Sequence, residues 1–325
     1  MMAVTLVTGA NGFVGQALVR LLLAEGHAVR ALVLPGESVP VDWEGRVEIV
    51  RGNICRRDDV RACMQGVGVV QHLAAAVGDW IPWSVHQAVT VEGTQHVIDA
   101  VIENGGRLVL TSSVTVYGHF IGQRACDESV PHGRAMGCYG RAKQAQERLV
   151  GEAHQTRGLD SVIVRPGNIY GPGCGPWLND LGEALKRGTP SLMASAEANA
   201  GLVHVRSIAA LLLAAQQRAP SGEIFNGCDE LEVTWHRYFA DIARLVNAPG
   251  PRALPYWLGA GLAPTLEMAW RVTGRSTRPP ITREAFNLVA HDNRFPAGKA
   301  RSSLGWRPVV DYADAMAEIN ATLAG

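Results

Sequence analysis

A chain of 325 residues, 47% of them hydrophobic, can bury a sizeable core and make one large domain or two intimate ones, at roughly 100–200 residues each. Its 30 basic residues equal its 30 acidic ones, which gives no reason to expect a polyanionic partner such as nucleic acid. No signal-peptide pattern opens the chain, no stretch approaches the roughly 20 apolar residues of a membrane span, and the six cysteines are scattered without a CxxC pair; a cytoplasmic protein with reduced thiols, no integral span and no zinc site is expected.

The first element is a short apolar strand, Ala3-Val4-Thr5-Leu6. It runs into Val7-Thr8-Gly9-Ala10-Asn11-Gly12-Phe13-Val14-Gly15 and then a helix over 16–25, with Leu18, Leu21 and Leu22 at helical spacing. Strand, glycine turn, helix is the setting in which a backbone can cradle a pyrophosphate. Gly9 permits the turn, Gly12 clears the phosphate approach, and Gly15 lets the helix lie close to the strand. The free N–H groups at the helix start face the phosphate charge. Asn11, Phe13 and Val14 belong to the same candidate cofactor site.

A second strand over 28–34 ends Leu32-Val33-Leu34-Pro35. At Val33, where the adenosine ribose of a bound dinucleotide is expected, there is neither an acid to select NAD nor an arginine for a 2′-phosphate; the lean is to NADP(H). A third strand over 47–50 leads to Asn53 and Ile54, assigned to the adenine side, and a polar helix over 58–65. The fourth strand, 67–73, ends in Leu73, Ala74 and Ala75, small enough at the last two positions for a cofactor to pass close. The loop that follows carries Trp80 and Trp83, which either pack beneath another segment or line a pocket.

A helix over 85–103, a fifth strand over 108–113, a helix over 139–155 and a sixth strand over 161–165 continue the alternation, which argues a parallel, doubly wound α/β sheet with helices on both faces. It breaks down after Tyr170. Residues 1–170, completed by 202–227, form the expected dinucleotide domain; 171–201 and 228–325 form a smaller, mainly helical lobe over the substrate.

Tyr139 and Lys143 lie four residues apart on one helical face. A free phenol, with a pKa near ~10, is a poor acid–base at neutral pH, and a fixed cation beside it favours the phenolate. Such a tyrosine can exchange a proton with an alcohol oxygen while hydride moves at carbon. Ser112 and Ser113 compete for the hydroxyl beside it, because strand alternation turns one of the two away.

Gly9-x-x-Gly12-x-x-Gly15, Thr111-Ser112-Ser113-Val114-Thr115-Val116-Tyr117-Gly118, Tyr139-x-x-x-Lys143 and Arg165-Pro166-Gly167-Asn168-Ile169-Tyr170-Gly171-Pro172 occur in that order, with Lys299-Ala300 and Leu304-Gly305-Trp306-x-Pro308 near the end. Together they resemble the extended short-chain dehydrogenases/reductases over nearly the whole chain. The resemblance implies a Rossmann domain, bound NAD(P), and a catalytic set of Ser113, Tyr139 and Lys143. It implies that Pro166 sits beside the nicotinamide, with Thr111, Asn168 and Ile169 around it. Trp80, Ser113, Val114, Tyr139 and Asn168 are then the candidate substrate contacts. In many relatives the helices over 85–103 and 139–155 pair two subunits, so a homodimer is expected.

The family's asparagine before Val-x-Gly-Thr is Thr90 here, and the Asp-Glu pair of its sugar-nucleotide dehydratases is absent. The apolar stretch 255–266, with Trp257 and Trp270, is similar to the 3β-hydroxysteroid dehydrogenase and dihydroflavonol reductase group and suits a steroid-like, aryl or lipid-like alcohol or ketone. The expected activity is an NAD(P)-dependent oxidoreductase on such a small molecule. The alternative is a nucleotide-sugar 4-epimerase with tightly bound NAD, in which Asn168 and Arg294 hold the diphosphate.

Overall fold

The computed structural model describes residues 4–189, 192–193 and 197–324. Ala3, expected to open the first strand, and residues 190–191 and 194–196 of the expected 171–201 lobe segment lie outside the described residues.

The first half alternates as the sequence predicts: β1 (Val4–Thr8), α1 (Phe13–Ala24), β2 (Val29–Val33), β3 (Val47–Arg51), α2 (Arg57–Ala62) and β4 (Val67–His72). A short helix α3 (Trp83–Val85) passes through a π-helical turn, His86–Glu92, into α4 (Gly93–Asn104). Next come β5 (Arg107–Thr111), α5 (Cys138–Arg157) and β6 (Asp160–Pro166). The strands are rich in Val, Leu and Ile on both faces, the pattern of a parallel sheet covered on both sides. Val7, Ala31, Val33, Val109 and Val162 pack under α1 and a later helix, Val205–Arg218, whereas Leu6, Leu32, Leu108, Leu110 and Ile163 pack under α2, α4 and α5. Neighbours in one strand thus serve opposite cores.

Beyond β6 the chain forms β7 (Asn168–Tyr170), α6 (Leu181–Lys186), β8 (Leu192–Met193) and β9 (Leu202–His204), then returns to the sheet through α7 (Val205–Arg218) and β10 (Ile224–Gly227). The order β10-β6-β5-β4-β1-β2-β3 is parallel throughout. It reverses direction between β1 and β4, the switch point beyond which doubly wound sheets bind ligands. The fold is therefore a Rossmann-type doubly wound sheet.

The remainder is α8 (Trp235–Leu245), β11 (Ala253–Leu254), α9 (Tyr256–Val272), α10 (Arg283–Val289), α11 (Gly298–Leu304) and α12 (Tyr312–Ala324). Its core is aromatic, built on Trp235, Tyr238, Phe239, Phe286, Phe295 and Tyr312. The stretch expected to make an apolar substrate lobe behaves differently: Trp257 is 73% exposed, and α9 packs on the lobe mainly through Gly259, Ala263 and Glu267. Composition marked this helix as apolar but not which way its apolar face turns.

Candidate active site

The glycine turn closes the carboxyl end of β1. Gly9 adopts φ +66°, and a Cβ there would lie 2.7 Å from the Ala74 nitrogen, so the turn and the end of β4 touch only because residue 9 is glycine. A Cβ at Gly15 would run into the carbonyls of Gly9 and Ala10. Gly12 differs: the atom its Cβ would meet is the Gly9 oxygen at 3.2 Å, a tolerable approach, and the residue is exposed. The room it leaves opens outward, in front of a helix start with no side-chain cap and no acid in its first turn. Phe13, Val14 and Gly15 present N–H groups there. A diphosphate fits this cradle, with the cofactor's remaining contacts drawn from residues around it. Asn11 is turned aside, its amide donating to the Ser38 carbonyl at 2.9 Å.

The end of β2 carries more than sequence proximity revealed. Val33 is buried and pairs in register with Arg51 of β3. Arg51 donates to the Glu37 carbonyl at 2.8 Å, and the Glu37 carboxylate accepts the Leu34 N–H at 3.2 Å. An acid and an arginine therefore stand at the rim beyond Val33, one supplied by a turn and the other by the neighbouring strand. Asn53 is held in an Asx turn, its side-chain oxygen accepting the Cys55 N–H at 2.9 Å, and Ile54 packs beneath Gly93. Leu73 and Ala74 bond back to Thr8 through the Leu73 N–H to the Thr8 carbonyl at 3.2 Å and the Ala74 N–H to Thr8 Oγ1 at 3.3 Å, with Ala75 next in line.

Ser113, Tyr139 and Lys143 come together past the end of β5. The two serines separate as alternation requires: the Ser112 hydroxyl is buried away from the site without a hydrogen-bond partner among the described residues, while the Ser113 hydroxyl favours the Tyr139 phenolate. The ordinary pKa of Tyr139 is nonetheless raised, by burial first and by Glu284 second. The Lys143 ammonium lies 6.0 Å from the Tyr139 ring centre. Burial pulls its pKa down to about 7, with Glu147 opposing. In the protein alone the tyrosine is a firm proton holder and the lysine a weak one. Val114 is buried in the turn after Ser113, and Pro166 closes β6. Asn168 is engaged, its amide donating to the Ala200 carbonyl at 2.7 Å, with Ile169 half-buried beside it.

A buried network holds the lysine, and its hydrogens can be assigned throughout. Lys143 Nζ donates to the Thr111 carbonyl at 2.8 Å and to Gln146 Oε1 at 2.9 Å, leaving one of its three hydrogens for a ligand. Gln146 Nε2 donates to Thr94 Oγ1 at 2.7 Å, and Thr94 donates to the Thr90 carbonyl at 2.6 Å. With the Thr94 hydrogen committed, His72 Nε2 donates to Thr94 at 2.9 Å, so His72 Nδ1 accepts from Thr8 Oγ1 at 2.7 Å. Burial keeps His72 neutral, its pKa down to about 3. Thr90, inside the π turn, stands where the family's asparagine was expected and accepts the Ala76 N–H at 3.0 Å. A Gln146 amide on α5 takes up the lysine instead. Its position three residues after Lys143, on the same helical face, is a local signal in the sequence.

Two further residues flank Tyr139. Glu284 of α10 reaches the start of α5, where Oε1 accepts the Gly140 N–H at 2.7 Å. Gly137 and Gly140 leave room for its carboxylate, which burial pushes up to about 8. No local pattern announces a contact across 144 residues. His86, fully buried, has its ring centre 6.3 Å from that of Tyr139. Trp80 is half-buried beneath Arg271, at 5.7 Å, and Trp83 beneath Arg141, at 3.8 Å. Asp79 ties the loop to the lobe through Arg278 and Thr282. Arg294 faces Asp292 at the surface.

A Rossmann sheet with an Ser–Tyr–Lys set at its carboxyl edge defines an extended short-chain dehydrogenase/reductase. Residues 5–228 match the model of the NAD dependent epimerase/dehydratase family, and the chain belongs to that family. It is 28% identical to the sterol-4-alpha-carboxylate 3-dehydrogenase, decarboxylating, of Bos taurus, over 95% of this chain and 89% of that protein. It is also 28% identical to the 2-alkyl-3-oxoalkanoate reductase of Stenotrophomonas maltophilia, over 98% of this chain and 99% of that one. Among solved structures it is similar to the dTDP-glucose 4,6-dehydratase DesIV of Streptomyces venezuelae with NAD bound, at a TM-score of 0.79, 25% identity, and 99% and 97% coverage of the two chains.

Proposed function

We propose that the chain interconverts a largely apolar secondary alcohol and its ketone, with Tyr139 exchanging the proton at oxygen. The observation that carries this reading is the convergence of the Ser113 hydroxyl and the Tyr139 phenol, with Lys143 fixed behind them. When bound, a nicotinamide dinucleotide supplies or removes the hydride. The cradle at 9–15 holds its diphosphate, Lys143 offers its remaining hydrogen, and Pro166 lies at the nicotinamide end. In reduction Ser113 donates to the substrate oxygen, and Tyr139 delivers the proton as charge develops there. The lobe and the Asp79–Arg278 tie keep bulk water from that oxygen.

The names of the two curated relatives support an apolar substrate, since both describe redox chemistry at carbon 3 of a sterol carboxylate or an alkanoate. The alternative, a nucleotide-sugar 4-epimerase that keeps its NAD, is weakened by the engagement of Asn168 with Ala200 and of Arg294 with Asp292. Arg51 at the rim suits a 2′-phosphate, and the proposed preference is for NADP(H), by about tenfold, or ~1.4 kcal/mol. Hydroxysteroids, aryl ketones and 2-alkyl-3-oxo acids, assayed with NADH and NADPH beside UDP-glucose and UDP-galactose, test the reading. Turnover of at least one apolar ketone with added cofactor is expected. Epimerisation of a UDP-sugar without added cofactor, with silence on every apolar compound, overturns it.

A further inference from the structure

Helix α9 turns an unbroken apolar face to solvent. Trp257, Gly261, Pro264, Met268 and Val272 follow one another at intervals of three or four residues and form a single stripe along the helix. Trp257, Met268 and Val272 are 73%, 63% and 78% exposed, and Tyr256 at the helix start is 44% exposed. The charges around this face have one sign. Residues 249–283 contain five arginines and a single acid, Glu267, in a chain whose total charges balance. Glu267 is buried on the inward side of the helix, where it accepts from Arg283 at 2.8 Å and lies 3.8 Å from Arg271. Arg252 precedes the helix, and Arg271 and Arg275 close it; all three are exposed. The Arg275 guanidinium lies over the Trp270 ring, 4.8 Å from its centre.

An apolar stripe bordered by cations, with the helix's one carboxylate turned inward, is complementary to a bilayer surface that carries negative headgroups over hydrocarbon. No helix among the described residues is long and apolar enough to cross a membrane. We propose that α9 is a peripheral docking face for anionic membrane lipid. Trp257, Met268 and Val272 enter the headgroup–acyl boundary, and Arg252, Arg271 and Arg275 meet the phosphates. The surface does not depend on the reaction assigned to Tyr139.

The test is sedimentation of the whole protein with vesicles of phosphatidylcholine alone and of phosphatidylcholine mixed with phosphatidylglycerol. Binding to the mixed vesicles at least about tenfold tighter than to the neutral ones is expected, weakening as salt shortens the reach of the charges. The double variant Met268→Glu/Val272→Glu loses about tenfold or more of that binding, with its melting temperature and dinucleotide affinity unchanged. If that variant fails to fold, Trp257→Ser and Arg275→Glu, both exposed single changes, carry the same expectation. Equal failure of the wild-type protein to sediment with either vesicle overturns the proposal, as do folded variants that bind like wild type. A dimer in light scattering that these substitutions dissociate also overturns it, and makes the face a contact between two copies of the chain.

Discussion

In the proposed reaction Tyr139 releases and recovers a proton in each turnover, yet burial and the Glu284 carboxylate both favour its neutral form. Within the chain the Ser113 hydroxyl is the counterweight. Tyr139→Phe keeps the ring and removes the proton. Turnover on a good substrate is expected to fall by about 10²-fold or more, with dinucleotide affinity and melting temperature little changed. Retention of most activity contradicts the assignment. Gln146→Leu tests the lysine's support. The ammonium loses an acceptor that favours its charged form, so the pKa of Lys143, already near 7 through burial, moves lower. Activity that depends on that charge falls as pH rises through the pKa, and in the variant the fall sets in at lower pH, with turnover down by about tenfold. A merely structural role leaves the pH profile in place, whereas Gln146→Asn is expected to restore part of it. At this scale the glycine turn was legible because its signals are local. Ser113 was legible once alternation and the family spacing were combined. Arg51 was not, because it reaches the rim of β2 through strand register, and Glu284 was not, because it arrives from another lobe.

At the level of elements, α5 is fastened to the sheet by a buried ion pair. Glu147 accepts from Arg165 Nε at 2.9 Å and Nη2 at 2.7 Å, and from His132 at 2.7 Å. Arg165 also donates to the Tyr117 hydroxyl at 3.1 Å, which places the Tyr117-Gly118 motif in support of the helix and not at the reacting oxygen. Glu147→Ala leaves the guanidinium buried without its partner and is expected to cost ~3–5 kcal/mol in urea denaturation. Against burial, which raises it, the hydrogen bonds from His132 and Arg165 and the charge of the arginine hold the Glu147 carboxyl down to about 2 from an ordinary 4.5. The stabilisation is therefore complete above pH ~4.5 and is lost as pH falls towards 2. A variant that unfolds in acid at the same midpoint as wild type contradicts this role. The strands and major helices were readable to within a few residues, because their apolar periods are long. The π turn at His86–Glu92 was not, since a one-residue widening of a helix leaves no mark on hydrophobic spacing. Helix α9 was recognised as apolar, but its orientation depends on partners in the lobe.

For the whole molecule, two sheet faces buried under α1/α7 and α2/α4/α5 fix the carboxyl edge on which the glycine turn, Ser113 and Pro166 stand, while α10 brings Glu284 to the start of α5. The sheet was legible from alternation, and the lobe only from resemblance, because short helices joined by proline-rich turns offer no long period. What separates a ketone reductase from an enzyme that retains its NAD is whether hydride comes from an exchangeable dinucleotide and stays in the product. The most direct measurement is the mass of the alcohol formed when dialysed protein is given an apolar ketone and nicotinamide cofactor deuterated at the transferable C4 position. Incorporation of one deuterium per product molecule, abolished or slowed by about 10²-fold in Tyr139→Phe, is the predicted result. No label in any product, together with nicotinamide that remains bound through dialysis and a UDP-sugar epimerised without added cofactor, contradicts it.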